Sequence, residues 1–140
     1  MAGSESSQMK RVMVNGTFDI LHRGHIELLN FAKSKGDQLL VAIDTDHRVK
    51  ELKGNTRPIN NQEDRKHFLY NLKAVDIVML FGSKEELIEI MKEWKPDVYV
   101  KGSDWKSSAG TAHQYSKEVI YYDRVGDYST TNTIQRITDR

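Results

Sequence analysis

The sequence predicts a Rossmann-like α/β fold, in which five parallel strands form a doubly wound sheet with helices on both faces of a single domain. Three observations lead to this prediction. Strand-like segments rich in β-branched residues alternate with segments whose apolar residues recur at helical spacing. The second strand-like segment, residues 39–43, is apolar throughout, which is typical of a strand buried on both faces. The length of 140 residues suits one hydrophobic core.

The first half of the chain supplies two strands and two main helices. KRVMVNG, residues 10–16, reads as a strand that ends in an Asn-Gly turn signal, and the helix after it ends near Gly36. The polar segment that follows the second strand, residues 47–61, is interpreted as a helical turn and a loop. A second amphipathic helix is expected over residues 62–75.

The second half continues the alternation. The third strand precedes a helix that Ser83 is expected to cap, with Glu86 at the capping-box position. Two more strands are expected over residues 98–102 and 119–124, with a long polar loop between them that has room for a helical piece. The last helix is expected to begin near Ser129 or Thr130.

The composition excludes several kinds of protein. The absence of cysteine rules out disulfides, thiolate catalysis and cysteine-based zinc sites, and a net charge of +1 indicates no nucleic-acid partner. No apolar run approaches the ~18 residues that a membrane span needs. Residues 1–8 lack the apolar core of a signal peptide, so we expect a disordered lead-in or tag remnant before a domain over residues 9–140 in the cytoplasm.

Two histidines, His22 and His25, stand where the first strand is expected to give way to a helix. A zinc site is one reading, but the pair supplies only two ligands. Ordinary capping or packing is a second reading. The third is phosphate chemistry, because Gly16 and Gly24 allow a phosphate to approach backbone N–H groups at a helix N-terminus, where imidazoles can donate hydrogen bonds to it.

Three polar segments follow predicted strands and are expected to meet at one edge of the sheet, because ligands of such folds bind at the carboxyl ends of the strands. These segments are NGTFDILHRGH, KGSDWK and VGDYSTTN. The first, extended as GTFDILHRGHIELL, resembles the HxGH signature of the nucleotidylyltransferase superfamily, and GDYSTTNTIQRI is similar to the superfamily's Ser-Thr motif at its last helix. The resemblance covers residues 9–140.

The middle of the chain indicates the branch. DTDHRVKELKGNTRPINNQEDR and VYVKGSDWK resemble the adenylyltransferase domain of bacterial ADP-heptose synthesis, and STTN also fits it. Glycerol-3-phosphate cytidylyltransferase is also similar, since it shares Gly-Thr-Phe-Asp and has Asp-Trp where this chain has Asp104-Trp105. That family has Arg-Thr before its final Ser-Thr, whereas this chain has Arg124-Val125.

The resemblance implies that a sugar or polyol phosphate attacks the α-phosphorus of a nucleoside triphosphate and that pyrophosphate leaves. The favoured reaction is adenylyl transfer to an acceptor like heptose 1-phosphate. The alternatives are cytidylyl transfer to glycerol 3-phosphate or another small phosphorylated molecule, and a non-catalytic nucleotide sensor. Mg²⁺ is expected to be held mainly by the triphosphate, with no protein ligand assigned. The resemblance also implies a homodimer.

Residue roles follow from motif position. The resemblance implies four catalytic residues, of which Arg65 would clamp a phosphate: His22, His25, Lys53 and Arg65. It implies acceptor contacts from Lys50 and Arg57. It implies nucleotide contacts from Gly16, Thr17, Phe18, Gly24, Lys101, Gly102, Asp104, Arg124, Ser129, Thr130 and Thr131. Asp19 has an alternative structural interpretation, because an aspartate often holds a turn.

Overall fold

The computed structural model describes residues 9–102, 109–123 and 130–140, and it confirms the predicted α/β fold. The strands are β1 (Arg11–Gly16), β2 (Gln38–Asp44), β3 (Ile77–Phe81), β4 (Val98–Gly102) and β5 (Glu118–Tyr122). The helices are α1 (Arg23–Lys33), α2 (Asp46–Lys53), α3 (Gln62–Tyr70), α4 (Lys84–Trp94), α5 (Ala109–Tyr115) and α6 (Thr130–Thr138). None of the helices in these ranges is long and apolar enough to cross a membrane. The lead-in expected over residues 1–8 lies outside the described residues.

The sheet is covered on both faces, as expected. Its five strands run parallel in the order β3-β2-β1-β4-β5. Apolar side chains of α1 and α3 pack on one face, and those of α4 and α5 pack on the other. The strand β2 lies inside the sheet between β3 and β1, and its residues from Leu39 to Ile43 are fully buried. Its continuous apolar run is therefore explained by burial on two faces.

Local differences from the sequence expectation concern helix lengths. The helix α2 has eight residues instead of a single turn, and the Thr45 side chain caps it by accepting a hydrogen bond from the Arg48 N–H. The helix α3 ends at Tyr70, sooner than expected, because Ala74 and Val75 leave the helix and are buried in the core before β3. Ser83 caps α4 as predicted, with its side chain accepting from the Glu86 N–H.

A crevice opens at the carboxyl ends of β1 and β4. The strand β1 pairs with β2 as far as Gly16, and β4 pairs with β5 as far as Gly102. In contrast, β1 and β4 pair with each other only at Val12 and Val98 and at Met13 and Tyr99. The two strands therefore separate at the point where the strand order changes direction, which is where folds of this kind bind ligands.

Candidate active site

The two histidines of the HxGH segment form a stacked pair at the start of α1. His22 is the N-cap residue, and the two ring centroids are 3.8 Å apart with the planes inclined by 22°. The His22 N–H donates a hydrogen bond to Nδ1 of His25 at 3.2 Å. Since Nδ1 accepts this bond, the proton of the neutral His25 ring lies on Nε2. His25 can therefore present an Nε2–H donor to a ligand.

Phe18 supports this pair from the preceding loop. It is buried, it has a positive φ of 52°, and its ring centroid lies 5.1 Å from that of His25. A Cβ atom at Gly16 would lie only 2.9 Å from Cε2 of Phe18. The glycine at the end of β1 is thus needed because the Phe18 ring packs directly over it.

Asp19 fastens a distant loop beside the histidines. Its side chain is fully buried, and its two carboxylate oxygens accept hydrogen bonds from the N–H groups of Ile59 and Asn60, each at 2.7 Å. The Asn60 side chain donates in return to the Asp19 carbonyl at 2.8 Å. Asp19 therefore has the structural role that the sequence left open, and it holds the loop between α2 and α3 against the loop between β1 and α1.

Arg65 has a different set of contacts from the phosphate clamp that the sequence suggested. It is completely buried on α3, and four donor contacts of 2.8–3.0 Å all go to protein acceptors. The acceptors are the carbonyls of Thr17, Asp44 and Asn60 and the carboxylate of Asp46. In the described structure Arg65 consequently ties together the ends of β1 and β2 and the loop before α3.

The Thr17 hydroxyl also faces protein. It donates to Oδ2 of Asp44 at 3.0 Å, while Oδ1 of Asp44 accepts from Nε of Arg48 at 3.0 Å. Asp44 is buried at the end of β2, so both hydrogen bonds satisfy a carboxylate that would otherwise be costly to bury. Thr17 thereby links β1 to β2 at the edge where the histidines lie.

Two cations, Lys53 and Arg57, lie near this edge. Partial desolvation, followed by the charge of Arg57, lowers the pKa of the Lys53 amine. The Arg57 side chain is 13% exposed, with its Nε 3.5 Å from a carboxylate oxygen of Asp19. Within the part of the chain that the structure describes, Nε and one terminal nitrogen of Arg57 are buried without a hydrogen-bond partner. Two neighbouring cations, one of which has buried donors without a hydrogen-bond partner, form a site suited to an anion. Lys50, one turn earlier on α2, is exposed.

Lys101 lies on the other side of the crevice. It is the penultimate residue of β4, it is 7% exposed, and burial lowers the pKa of its amine to about 8. Its Nζ lies 5.2 Å from the centroid of the Tyr99 ring. Gly102 ends the strand and is partly buried.

Of the remaining predicted site residues, the structure describes some and not others. Gly24 lies in the first turn of α1, and Thr130 and the exposed Thr131 begin α6. Three predicted nucleotide contacts lie outside the described residues, namely Asp104, Arg124 and Ser129. In the ranges that the structure covers, no three His, Asp or Glu side chains are grouped as metal ligands.

The sequence interpretation missed residues that organise this edge. Asp44 and Asp46 provide the carboxylates for Thr17, Arg48 and Arg65. Their position just after the apolar run of residues 39–43 is the signal that could have identified them, since polar groups at that point lie at the ligand edge of the sheet. Asn15 and Tyr99, which are joined by a hydrogen bond across the crevice, gave no such signal.

Comparison with known proteins identifies relatives of this chain. A family model described as cytidylyltransferase-like matches residues 13–136. The bifunctional protein HldE of Aliarcobacter butzleri is 44% identical over 130 residues, which are 93% of this chain and 27% of that protein. HldE of Campylobacter concisus is 43% identical over 136 residues, or 97% of this chain and 29% of that protein. The chain thus spans less than a third of the curated relatives that it matches.

Two solved structures are similar in fold. A lipopolysaccharide core biosynthesis protein from Thermoplasma volcanium has a TM-score of 0.68 and 30% identity, with 84% of this chain and 98% of that one covered. Pantoate-β-alanine ligase from Francisella tularensis, complexed with β-γ ATP and β-alanine, has a TM-score of 0.62 and 19% identity, with 91% and 66% covered. The second likeness shows the fold alone. On the family match, this chain belongs to the cytidylyltransferase-like family.

Proposed function

We propose that this member of the cytidylyltransferase-like family is a nucleotidylyltransferase that moves a nucleoside monophosphate group from a nucleoside triphosphate to a sugar or polyol phosphate. The observation that carries the proposal is the stacked pair of His22 and His25 at the N-terminus of α1. It combines an Nε2–H donor with a helix end that favours anions, and it lies beside the carboxyl-end crevice of the sheet.

In the proposed reaction, a phosphate oxygen of the acceptor attacks the α-phosphorus of the triphosphate. A new P–O bond forms there, the bond from the α-phosphorus to the bridging oxygen of the β-phosphate breaks, and pyrophosphate leaves with that electron pair. The acceptor phosphate is already an anion and needs no strong base. The protein therefore contributes positioning and charge stabilisation, which dominate phosphoryl-transfer catalysis.

His22 and His25 would stabilise the charge on the α-phosphoryl group as five oxygens crowd around phosphorus. Gly16 and Gly24 would let the phosphates approach the backbone, and Thr17 and Phe18 would shape the loop beneath them. Arg65 would act through its contacts with the Thr17 and Asp44 carbonyls, which hold that loop. The terminal phosphates would bind to hydroxyls and N–H groups of the Ser-Thr motif, which are supplied by Ser129, Thr130 and Thr131.

The acceptor phosphate is assigned to the cations on the α2 side of the crevice. Lys53 and Arg57 lie close enough for one charge to lower the pKa of the other, and a phosphate between them would relieve that repulsion. The unused buried donors of Arg57 support this placement, and Lys50 would contribute from the exposed face of α2.

The base is assigned to the β4 side, where Lys101 and Gly102 precede the position of Asp104 and where Arg124 follows β5 in sequence. Adenylyl transfer to an acceptor like heptose 1-phosphate is the favoured reaction, supported by the similarity to HldE proteins along nearly the whole chain. Cytidylyl transfer to glycerol 3-phosphate is the second candidate, supported by the description of the matching family.

Mg²⁺ would arrive on the triphosphate and would supply neutralising charge for the departing pyrophosphate. The donor set fits that arrangement, because the carboxylates at this edge, Asp19 and Asp44, already accept hydrogen bonds from protein groups. The phosphate oxygens would therefore be the main ligands of the ion. We also propose that the enzyme works as a homodimer in the cytoplasm, which light scattering and fractionation would test.

The test is pyrophosphate release with Mg²⁺, from ATP and from CTP in parallel. Each nucleotide is offered heptose 1-phosphate, glycerol 3-phosphate or no acceptor. Release with ATP and the heptose phosphate supports the favoured reaction, and release only with CTP moves the activity to the cytidylyl branch. Nucleotide binding without release in any well would support the non-catalytic sensor instead.

A further inference from the structure

The crevice between β1 and β4 contains a polar pair that the roles above do not use. Asn15 lies two residues beyond Met13, which pairs with Tyr99, so the side chains of Asn15 and Tyr99 lie on the same face of the sheet. The Tyr99 hydroxyl donates a hydrogen bond to Oδ1 of Asn15. This bond joins two strands whose backbone pairing has already ended.

Tyr99 is a fixed donor. Its side chain is completely buried, and burial, followed by the negative charge of Asp44, raises the pKa of the phenol far above its usual range. The hydroxyl therefore stays protonated at every physiological pH. Leaving a buried hydroxyl without an acceptor is costly, so the structure depends on Oδ1 of Asn15 remaining where it is.

Fixing one end of a carboxamide fixes the other end. Because the amide group of Asn15 is planar, the bond to Oδ1 also sets the direction of the Nδ2 donor. Asn15 is only partly buried, and no acceptor for its Nδ2 occurs among the hydrogen bonds of the described ranges. An oriented donor thus stands on the wall of the crevice, next to Gly16 and Thr17.

The position of Asn15 indicates which part of a nucleotide it would meet. The phosphates are assigned to the start of α1 and the base to the end of β4. A nucleotide that joins these two places crosses the mouth of the crevice with its ribose and α-phosphate. Both groups present oxygen acceptors, which complement an amide donor.

We propose that Asn15 is a nucleotide-binding residue whose Nδ2 donates to a ribose or α-phosphate oxygen, and that Tyr99 is the positioning residue that holds its amide. The inference rests on the proposed function, since it takes the nucleoside triphosphate as the ligand. It adds a contact to the ribose and α-phosphate part of the nucleotide, from the face of the sheet opposite α1.

The sharpest variant is Asn15→Asp. It keeps an oxygen for the Tyr99 hydroxyl but replaces the Nδ2 donor with a second, negatively charged oxygen. We expect its Kd for ATP or CTP to rise about 100-fold, because a lost donor and a new repulsion act together. Asn15→Ala should raise the Kd about tenfold, and Tyr99→Phe about threefold, since the donor remains but is no longer held.

Calorimetric titration of the whole chain with ATP and CTP, without acceptor, provides the measurement. Tyr121→Phe is the matched control, because this tyrosine lies on the same face and, among the described residues, its hydroxyl contacts only the exposed His113. It should bind as the wild type does. Thermal unfolding of each variant verifies that the folded protein is being titrated.

Repeating the titrations with 2′-deoxy-ATP and 3′-deoxy-ATP separates the two acceptors. If Asn15→Ala removes the difference between ATP and a deoxynucleotide, the contact is to the ribose; an equal loss for all three assigns it to the α-phosphate. Folded Asn15→Asp and Asn15→Ala proteins with wild-type Kd values would overturn this inference alone. A wild-type chain that binds neither nucleotide would overturn the proposed function and this inference with it.

Discussion

The backbone N–H of His22 donates a hydrogen bond to Nδ1 of His25, 3.2 Å away, and this bond decides which nitrogen of His25 can act on a ligand. His22 is the N-cap of α1 and His25 is three residues further on, so the spacing of the pair is that of a capping box. The same spacing that caps the helix therefore leaves Nε2 of His25 as the donor. Capping and phosphate chemistry, which were alternatives in the sequence, are compatible in the structure.

We predict that neutral His25 carries its proton on Nε2. The bond from the His22 N–H requires an unprotonated Nδ1. In the opposite tautomer, the Nδ1–H of His25 would point at the His22 N–H, and two donors would oppose each other. Nitrogen-15 NMR of the imidazoles above pH 8 would measure the tautomer. A predominantly Nδ1-protonated His25 would contradict the assignment of Nε2 as the phosphate donor.

Replacement of either histidine should impair turnover strongly. We expect His22→Ala and His25→Ala each to lower kcat by about 100- to 1000-fold, by analogy with the removal of one oxyanion donor. His47→Ala is the control, since that side chain is 82% exposed on α2 and forms an ion pair with Glu51, away from the histidine pair. Near-wild-type kcat in both site variants would exclude the proposed mechanism.

Removal of the Asp19 charge should loosen the acceptor side of the site. Asp19→Asn leaves one carbonyl oxygen where two oxygens now accept from the N–H groups of Ile59 and Asn60, and it removes the counter-charge of Arg57. We expect a loss of about 2–3 kcal/mol in the free energy of unfolding. The KM for the acceptor should rise more than the KM for the nucleotide, because the loop that carries Arg57 is released.

Denaturant unfolding and steady-state kinetics would measure both effects. Asp37→Asn is the control, because Asp37 also accepts a backbone hydrogen bond, from Lys10, but at an exposed position. Its stability should change by about 0.5 kcal/mol or less. If Asp19→Asn is as stable as this control, Asp19 does not hold the loop.

The histidine pair, the parallel sheet and the buried strand β2 could be predicted because each leaves a local pattern in the sequence. The hydrogen bonds of Arg65 could not, since its acceptors on Thr17 and Asp44 are 48 and 21 residues away and only the fold brings them to it. The bond between Asn15 and Tyr99 spans 84 residues and has no local signal for the same reason. The extra turn of α2 was missed because its exposed, polar residues show little helical periodicity, with Val49 alone buried.

Arg65→Lys tests whether this arginine positions the site or binds phosphate. A lysine keeps the positive charge, but its single amine cannot replace the guanidinium nitrogens that donate to the Asn60 and Asp44 carbonyls and to the Asp46 carboxylate. At least two of these hydrogen bonds are therefore lost. We expect the free energy of unfolding to fall by about 3 kcal/mol and kcat to fall with it. Arg136→Lys, at an exposed position of α6, should leave both unchanged. A raised nucleotide KM with unaltered stability would instead support the predicted phosphate clamp.

The buried amine of Lys101 is predicted to lower the free energy of unfolding of the protein at neutral pH. Its buried amine has a pKa of about 8 in the folded protein, against 10.5 for an ordinary lysine, so folding disfavours the charged form. Between pH 8 and 10.5 the unfolded chain binds more protons than the folded one, and the free energy of unfolding therefore rises with pH. The penalty for burying the charged amine is absent above pH 10.5, grows as the pH falls from 10.5 to 8, and is fully present below pH 8.

Lys101→Met should therefore be more stable than the wild type at pH 7, by up to about 3 kcal/mol, and the difference should shrink as the pH approaches 10. Its affinity for the nucleotide should fall at the same time, because the ammonium is assigned to that ligand. Urea unfolding at pH 7 and pH 9.5, together with ATP titration, would measure the two effects. A variant that gains stability without losing affinity would show that Lys101 does not meet the nucleotide, and one that loses stability at pH 7 would show that the buried charge is stabilised by its surroundings.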